Sequence, residues 1–338
     1  MRTVNDIGEF GLIERIQRLL PTSPAVIEGI GDDCAVLRIF DRLMVVSCDQ
    51  AIEGVHFRTK QVRASDIGWK AAASSLSDIA AMGATPMFAL VALACPPETE
   101  VPFIEGLYQG IASIMSQYSV SVVGGDTCHG PHIALDITVI GAVRGNRYLR
   151  RTGSESGDLL VVSGDLGEAR AGLHALEHGH DAPEAIAALY RPNPRILEGQ
   201  WLCGVPSVHA MLDISDGLFQ DAGHLVEVNQ LGVNLHREAL NVSPTLDAYC
   251  TAHGLDPVET ILAGGEDYEL AFSIKRNDYA SVLESFHQEF RTPLRVVGEF
   301  TDEWTGVRVD GQESTVHGYD HFHAEPDDAS QSTQPDQK

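Results

Sequence analysis

Aspartates recur in this chain where apolar runs meet glycine: Gly31-Asp32-Asp33, Leu43 to Asp49, Val122 to Asp126 and Met211 to Asp216. A strand that stops at an aspartate sets it at a sheet edge, and several such ends converging on one point are a common way of building a ligand site. Asp78 joins them from a helical stretch. Carboxylates gathered in one cleft repel, since two unit charges ~4 Å apart cost roughly 4 kcal/mol at an effective dielectric of about 20. A hard divalent cation relieves that repulsion, and Mg2+ is commonly shared between one or two carboxylates and the phosphates of a nucleotide. One Asp-Gly step alone is more often a turn or a cap. Four of them in one chain point to metal-assisted phosphoryl transfer.

The familiar nucleotide motifs are missing. No GxxxxGK[ST] loop is present, nor the protein-kinase catalytic set, and no EF-hand spacing supports a dedicated calcium site. Gly124-Gly125 and Gly264-Gly265 can bring backbone amides close to phosphate, although paired glycines are more often turns. Arg151 is a possible phosphate partner.

The elements that must position these groups follow from periodicity. A short helix is expected around Gly8 to Leu20, and the apolar runs Leu43 to Cys48, Met87 to Cys95, Ser121 to Val123 and Ile133 to Val143 read as strands. Ser65 to Met82 is the clearest helix: Trp69, Ala72, Leu76, Ile79 and Ala80 form an apolar stripe, while Lys70, Ser74 and Asp78 recur every four residues on another face that can hold ligands. After the Arg-rich connector Arg144 to Arg151, strands are expected at Leu159 to Ser163, Val208 to Ile214, Glu269 to Ile274 and Arg295 to Val297, with helices between. The boundary between two domains is placed near residue 150. The stretch 324–338, almost without apolar residues, is read as a disordered tail.

Composition narrows the partners. At 338 residues, 43% hydrophobic and 21% charged, the chain can bury a sizeable core. Its 48 acidic against 23 basic residues give a formal charge of -25, which disfavours nucleic acid and anionic membranes. The six cysteines are scattered with no CxxC pair, so neither a zinc knuckle nor a disulfide framework is indicated. The opening MRTVNDIGEF lacks a leader pattern, and the uncharged stretch from Ile79 to Pro97 is broken at Gly83 to Pro86. A soluble cytoplasmic protein is expected, for which the glycosylation-like Asn241-Val242-Ser243 is a chance match.

Taken together, the segments resemble the thiamine-monophosphate kinase family, within the superfamily that holds aminoimidazole ribonucleotide synthetase and selenophosphate synthetase. The resemblance runs nearly end to end: GEFGLIERI at 8 to 16, GIGDDCAVL at 29 to 37, EGVHF at 53 to 57, KAAASSLSDIAAMGATP at 70 to 86, GGDT at 124 to 127, DISDGL at 213 to 218, GGEDYEL at 264 to 270 and GYDHF at 318 to 322. It implies a two-domain α/β (α+β) fold like that of aminoimidazole ribonucleotide synthetase, with mixed sheets flanked by helices. Residues 1–150 would bind ATP and several Mg2+ ions and form a homodimer, and residues 151–323 would close the site. By motif, Asp33, Ser47, Cys48, Asp49, Asp78, Asp126, Asp213 and Asp216 correspond to the metal shell. Tyr108, Gly125, Asp126, Arg151 and Ser215 correspond to ATP contacts, and His56, Glu266 and Phe322 to contacts with thiamine monophosphate, with Tyr319 an alternative aromatic. Cys48 stands where the family usually has threonine, and Ser75 where it usually has asparagine; a thiolate suits Mg2+ poorly.

The reaction so implied is direct in-line transfer of the ATP γ-phosphoryl group to thiamine monophosphate. No residue is required as acid or base, because a phosphate monoester with a second pKa near ~6 is already ionised at neutral pH. Two other functions fit parts of the pattern. One is another enzyme of the same superfamily, forming a selenophosphate or closing a purine ring through a phosphorylated intermediate; selenophosphate synthesis would show a reactive cysteine in a glycine-rich amino-terminal segment, which is absent. A catalytically silent metal-binding protein would consume no ATP.

Overall fold

The computed structural model describes residues 3–314 together with Val316, Gly318 and Tyr319. The expected contact Phe322 and the tail 324–338 lie outside the described residues.

Two mixed sheets divide the chain. The first is built from β1 (Val26–Glu28), β2 (Ala35–Ile39), β3 (Arg42–Ile52), β4 (Thr85–Cys95), β5 (Ser121–His129) and β6 (Ala134–Ala142), in the order β1-β2-β3-β6-β4-β5, and only β4 and β5 run parallel. The second is built from β7 (Leu159–Ser163), β8 (Val208–Asp213), β9 (Gly232–Leu235), β10 (Leu270–Ile274), β11 (Leu294–Thr301), β12 (Gly306–Val309) and β13 (Gln312–Glu313), in the order β13-β12-β9-β11-β7-β10-β8, with β9 and β12 parallel. Strict alternation in β6 explains its central place: Leu135, Ile137 and Val139 are buried on one face while their neighbours are half-buried on the other. β7 and β10 are buried at every position and read as continuous apolar runs.

Helices flank both sheets: α1 (Gly8–Leu19), α2 (Ala64–Ala81), α3 (Val101–Gln117), α4 (Glu168–His178), α5 (Pro183–Tyr190), α6 (Ile196–Cys203), α7 (Leu218–Asn229), α8 (Pro244–His253), α9 (Pro257–Ala263) and α10 (Tyr279–Glu289). None of the described helices is long and apolar enough to cross a membrane. α2 is the hub. Its Ile67, Leu76 and Ile79 are fully enclosed, and each such side chain contributes roughly 1.5–3 kcal/mol on burial. One apolar core runs from the first sheet through α2 to Val208 and Met211 of β8 and Phe272 of β10, so the two sheets share an interior. α2 ends at Gly83, whose φ of 65° is left-handed and whose Cα abuts Cys203 of α6.

The structure corrects the picture of strands that stop at aspartates. β3 continues past Asp49 to Ile52, because Gln50, Ala51 and Ile52 remain paired with Asp136, Leu135 and Ala134 of β6. β5 continues past Asp126 to His129 along β4. Only β8 ends at its aspartate, Asp213.

Candidate active site

Three carboxylates meet where the two sheets share their interior. Asp33 comes from the turn before β2, Asp78 from the last turn of α2 and Asp213 from the end of β8, and their oxygens all lie within 4.8 Å of one another. The Asp33 side chain is fully enclosed. Its Oδ1 accepts hydrogen bonds from Arg151 Nη2 at 2.5 Å and Nε at 3.1 Å, whereas its buried Oδ2 has no hydrogen-bond partner. The Arg151 backbone N–H leans on both Asp32 oxygens at 3.3 Å. Ser47 of β3 donates its hydroxyl to Asp78, and Asp49, two residues on, shares the Ser47 face.

These groups pack too tightly for all to be ionised without a counter-charge. Burial raises Asp213 to about 7, helped by repulsion from Asp33. Burial likewise lifts Asp49 to about 6 against the hydroxyls of Ser74 and Ser75, and Asp32 to about 7. Asp78 is pushed well above the usual carboxylate range by burial and by Asp49 and Asp213. Asp33 is raised by burial, with Arg151 opposing.

A second constellation lies along α2. Lys70, buried, pairs with Glu266 Oε1 at 2.6 Å, donates to the His56 carbonyl at 3.0 Å, and sits 5.2 Å from the centre of the Tyr190 ring. The His56 Nδ1 accepts the Ile52 N–H at 3.1 Å, which puts the proton of the neutral ring on Nε2. Glu266 and Tyr268 are held at φ of 66° and 52°, a conformation costly for residues with a Cβ. The strain is locked by Glu266 N–H to Ser215 O at 2.7 Å and Tyr268 N–H to Ile214 O at 2.9 Å. Gly265 permits this lacing, since a Cβ there would stand 2.3 Å from Ser215 O.

The loop after β8 carries Ser215 and Asp216. Buried Asp221, in the first turn of α7, accepts the backbone N–H groups of Ser215, Asp216 and Gly217 at 3.0, 3.1 and 3.1 Å on one oxygen. Asp216, Asp221 and His224 form the second close group of possible ligands among the described residues. Tyr319 reaches the same loop, its N–H bonded to Asp216 O and its carbonyl accepting from Gln220.

The remaining expected residues stand further out. The Cys48 thiol bonds Asp136 at 3.0 Å and accepts from Thr138 at 3.2 Å, on the face of β3 opposite Asp49. Asp126 is exposed on edge strand β5, in the row of Asp136 and Gln50, and does not join the group of Asp33, Asp78 and Asp213. Gly125 beside it abuts the backbone of Val91, where a Cβ would stand 1.8 Å from the carbonyl. Tyr108 is half-buried on α3, packed against the core. Sequence reasoning passed over Asp221, His224 and the pairing of Lys70 with Glu266, and took Asp32 only as part of the Gly31-Asp32-Asp33 motif. The signal for Asp221 was its place four residues after Gly217, at the start of a helix.

Comparison with known proteins places this geometry. Residues 31–143 match the AIR synthase related protein N-terminal domain, and residues 155–310 the AIR synthase related protein C-terminal domain. The chain is 34% identical over 327 residues to the thiamine-monophosphate kinase of Salmonella typhimurium, covering 93% of this chain and 98% of that one. It is 32% identical over 325 residues to the Aquifex aeolicus enzyme, covering 94% and 99%. The chain belongs to the thiamine-monophosphate kinase family. A solved structure of a thiamine-monophosphate kinase, AaThiL complexed with AMPPCP and TMP, superposes with a TM-score of 0.85 at 33% identity, covering 95% of this chain and 99% of that one. That of the Stenotrophomonas maltophilia thiamine-monophosphate kinase gives 0.75 at 33% identity, covering 90% and 96%.

As a family member the protein is an ATP-dependent kinase, and its residues fit divalent-cation binding. Asp33 Oδ2, enclosed beside two further carboxylates, is an acceptor without a protein donor, as a cation ligand would be. The donor set is all hard oxygen, as Mg2+ prefers.

Proposed function

We propose that this protein transfers the γ-phosphoryl group of ATP to thiamine monophosphate by direct in-line attack, giving thiamine diphosphate and ADP. The observation that carries the reading is the convergence of Asp33, Asp78 and Asp213 around a buried, unpartnered oxygen. Asp33, Ser47, Asp49, Asp78, Asp126, Asp213 and Asp216 would hold Mg2+, with Cys48 contributing through its backbone, and the bound ions would neutralise the two polyanions. Arg151 spends two of its five N–H donors on Asp33, leaving others for a nucleotide phosphate. Tyr108, Gly125 and Ser215 complete the ATP side. His56, whose carbonyl accepts from Lys70, stands with Glu266 on the side of thiamine monophosphate. Glu266, one oxygen held by Lys70, turns its other oxygen to the cationic ring, and Tyr319 or Phe322 supplies an aromatic face. No side chain has to move a proton, because the attacking phosphate oxygen is already ionised.

We place this protein in the cytoplasm as a homodimer, with ATP and Mg2+ on residues 1–150 and the closing domain on 151–323. Support for the dimer comes from exposed Val122 and Val123 on the unpaired edge strand β5, with Phe88 and Leu90 beside them.

Product analysis tests the reaction. Protein incubated with ATP, Mg2+ and thiamine monophosphate should give thiamine diphosphate and ADP in equal amounts, and Asp78→Asn should lower kcat by more than about a hundredfold. Release of phosphate from ATP with no thiamine diphosphate would overturn the substrate assignment.

A further inference from the structure

Four histidines gather away from the carboxylates, on the helices that cover the second sheet. His174 and His178 lie one turn apart on α4, the spacing that puts two imidazoles on one helix face as in zinc-binding HExxH helices. His180 follows Gly179, whose left-handed φ of 68° folds the chain back so that His180 N–H bonds Ala175 O at 2.8 Å. His253 closes α8. The ring centres are 4.0 Å apart for His174 and His178, 3.8 Å for His180 and His253, 5.6 Å for His174 and His180, 5.6 Å for His178 and His180, and 6.4 Å for His174 and His253. Nothing in the proposed phosphoryl transfer uses these residues.

Stacked imidazoles gain little from one another, and at neutral pH their shared feature is a set of lone pairs. The hydrogen bonds behind the rings point those lone pairs outward. His178 Nδ1 lies 2.9 Å from the His174 carbonyl, which only accepts, so Nδ1 carries the proton and Nε2 the lone pair. His174 Nδ1 and His180 Nδ1 both meet the hydroxyl of buried Tyr249, at 2.7 and 3.0 Å. That hydroxyl has one hydrogen, so at least one of the two rings donates its Nδ1–H and exposes Nε2. The oxygen can accept from both once both rings bind through Nε2. A carbonyl or hydroxyl behind each Nδ1–H is the arrangement that orients metal-bound histidines.

We propose that His174, His178, His180 and His253 form a binding site for an imidazole-preferring divalent transition metal such as Zn2+, clamping the end of α4 to the end of α8. With bonds of ~2.0–2.1 Å to Nε2, a tetrahedral site sets ring centres about 5 Å apart, near the 5.6 Å of His174–His180 and of His178–His180. The stacked pairs stand closer, at 4.0 and 3.8 Å, so the exposed rings of His178 and His253 must turn about χ2 for the nitrogens to converge, His178 exchanging its bond to the His174 carbonyl for the metal. Crowding keeps His174 and His180 below the usual histidine range, burial first and the neighbouring imidazoles next, so both are neutral and able to ligate near pH 7. Because α4 starts against Asp267 of the GGEDYEL segment, through Gly167 N–H to Asp267 at 2.8 Å, the clamp braces the far end of a helix that leads to the acceptor side.

The test uses the full chain without any tag, stripped with chelator, held in excess Mg2+ so that the carboxylate centre is occupied, and titrated with Zn2+ and with Co2+. One equivalent should bind, with the intense visible bands of nitrogen-ligated tetrahedral Co2+. Exposed-site variants His178→Gln and His253→Gln should each weaken binding about tenfold or more, as should Tyr249→Phe through loss of the shared hydroxyl. Kinase activity in Mg2+ should be unchanged in the two histidine variants. Absence of stoichiometric uptake by the native chain, or equal affinity in His178→Gln and His253→Gln, would overturn the site. An octahedral Co2+ spectrum displaced by Mg2+ would overturn it too, by assigning the ion to the carboxylates.

Discussion

Asp213, Asp49 and Asp78 carry protons in the metal-free fold that the unfolded chain has already released. Their ordinary value is 3.8, and burial holds Asp49 at about 6 and Asp213 at about 7. Between those limits the folded state binds more protons than the unfolded one, so the metal-free protein loses stability as pH rises through roughly 4 to 7. Mg2+ bound there as proposed would require the ionised forms and displace those protons. The melting temperature should therefore gain more from Mg2+ near about pH 8 than near about pH 5.5. Calorimetry in two buffers of different ionisation enthalpy should register proton release on binding at about pH 6. An Mg2+ effect independent of pH would contradict this account. At the same scale, the aspartates were visible in the sequence because their type and repetition declare their chemistry. The Lys70–Glu266 pair was not, because nothing local in KAAASS or GGEDYE encodes a contact across almost two hundred residues of chain.

Element by element, α2 was the most legible part of the protein: the expected span Ser65 to Met82 differs from Ala64–Ala81 by one residue at each end. Its apolar stripe has the helical period and its stop is a glycine. The strands holding Asp49 and Asp126 were cut short, since polar residues at their far ends look like turns, and only pairing with β6 and β4 carries them on. What the sequence hides about α2 is how closely it packs. Gly68 lies against the backbone of α3, where a Cβ would stand 1.9 Å from Leu107 O, and Gly110 of α3 lies equally close to Ser65 O. Gly68→Ala must push the two helices apart, and overpacking of this kind costs about 1–3 kcal/mol. A lowered melting temperature together with a reduced kcat is expected, since α2 carries Asp78. A variant as stable and active as the native chain would show that α2 tolerates displacement.

For the whole molecule, the two sheets share one core, so the carboxylate centre exists only when both are in place: Asp33 and Asp78 belong with the first sheet, Asp213 with the second. The exposed edge at β5 bears on assembly. Val123 is 58% exposed on a bulge of that strand, and Val123→Lys should convert the proposed dimer to monomer in sedimentation velocity, lysine being a common guard against edge pairing. Unchanged dimers would move the interface elsewhere. Lys70 and Asp78, finally, lie on a single buried helix, which at 1.5 Å per residue sets them roughly 12 Å apart along its axis. The helix is then a ruler. An acceptor bound as proposed, its cation beside Glu266, would have to reach from the Lys70 end of this helix to the carboxylates at the Asp78 end. Shorter or longer analogues should be refused by reach even when every charge on them is right, and no single substitution at either end can reset the distance.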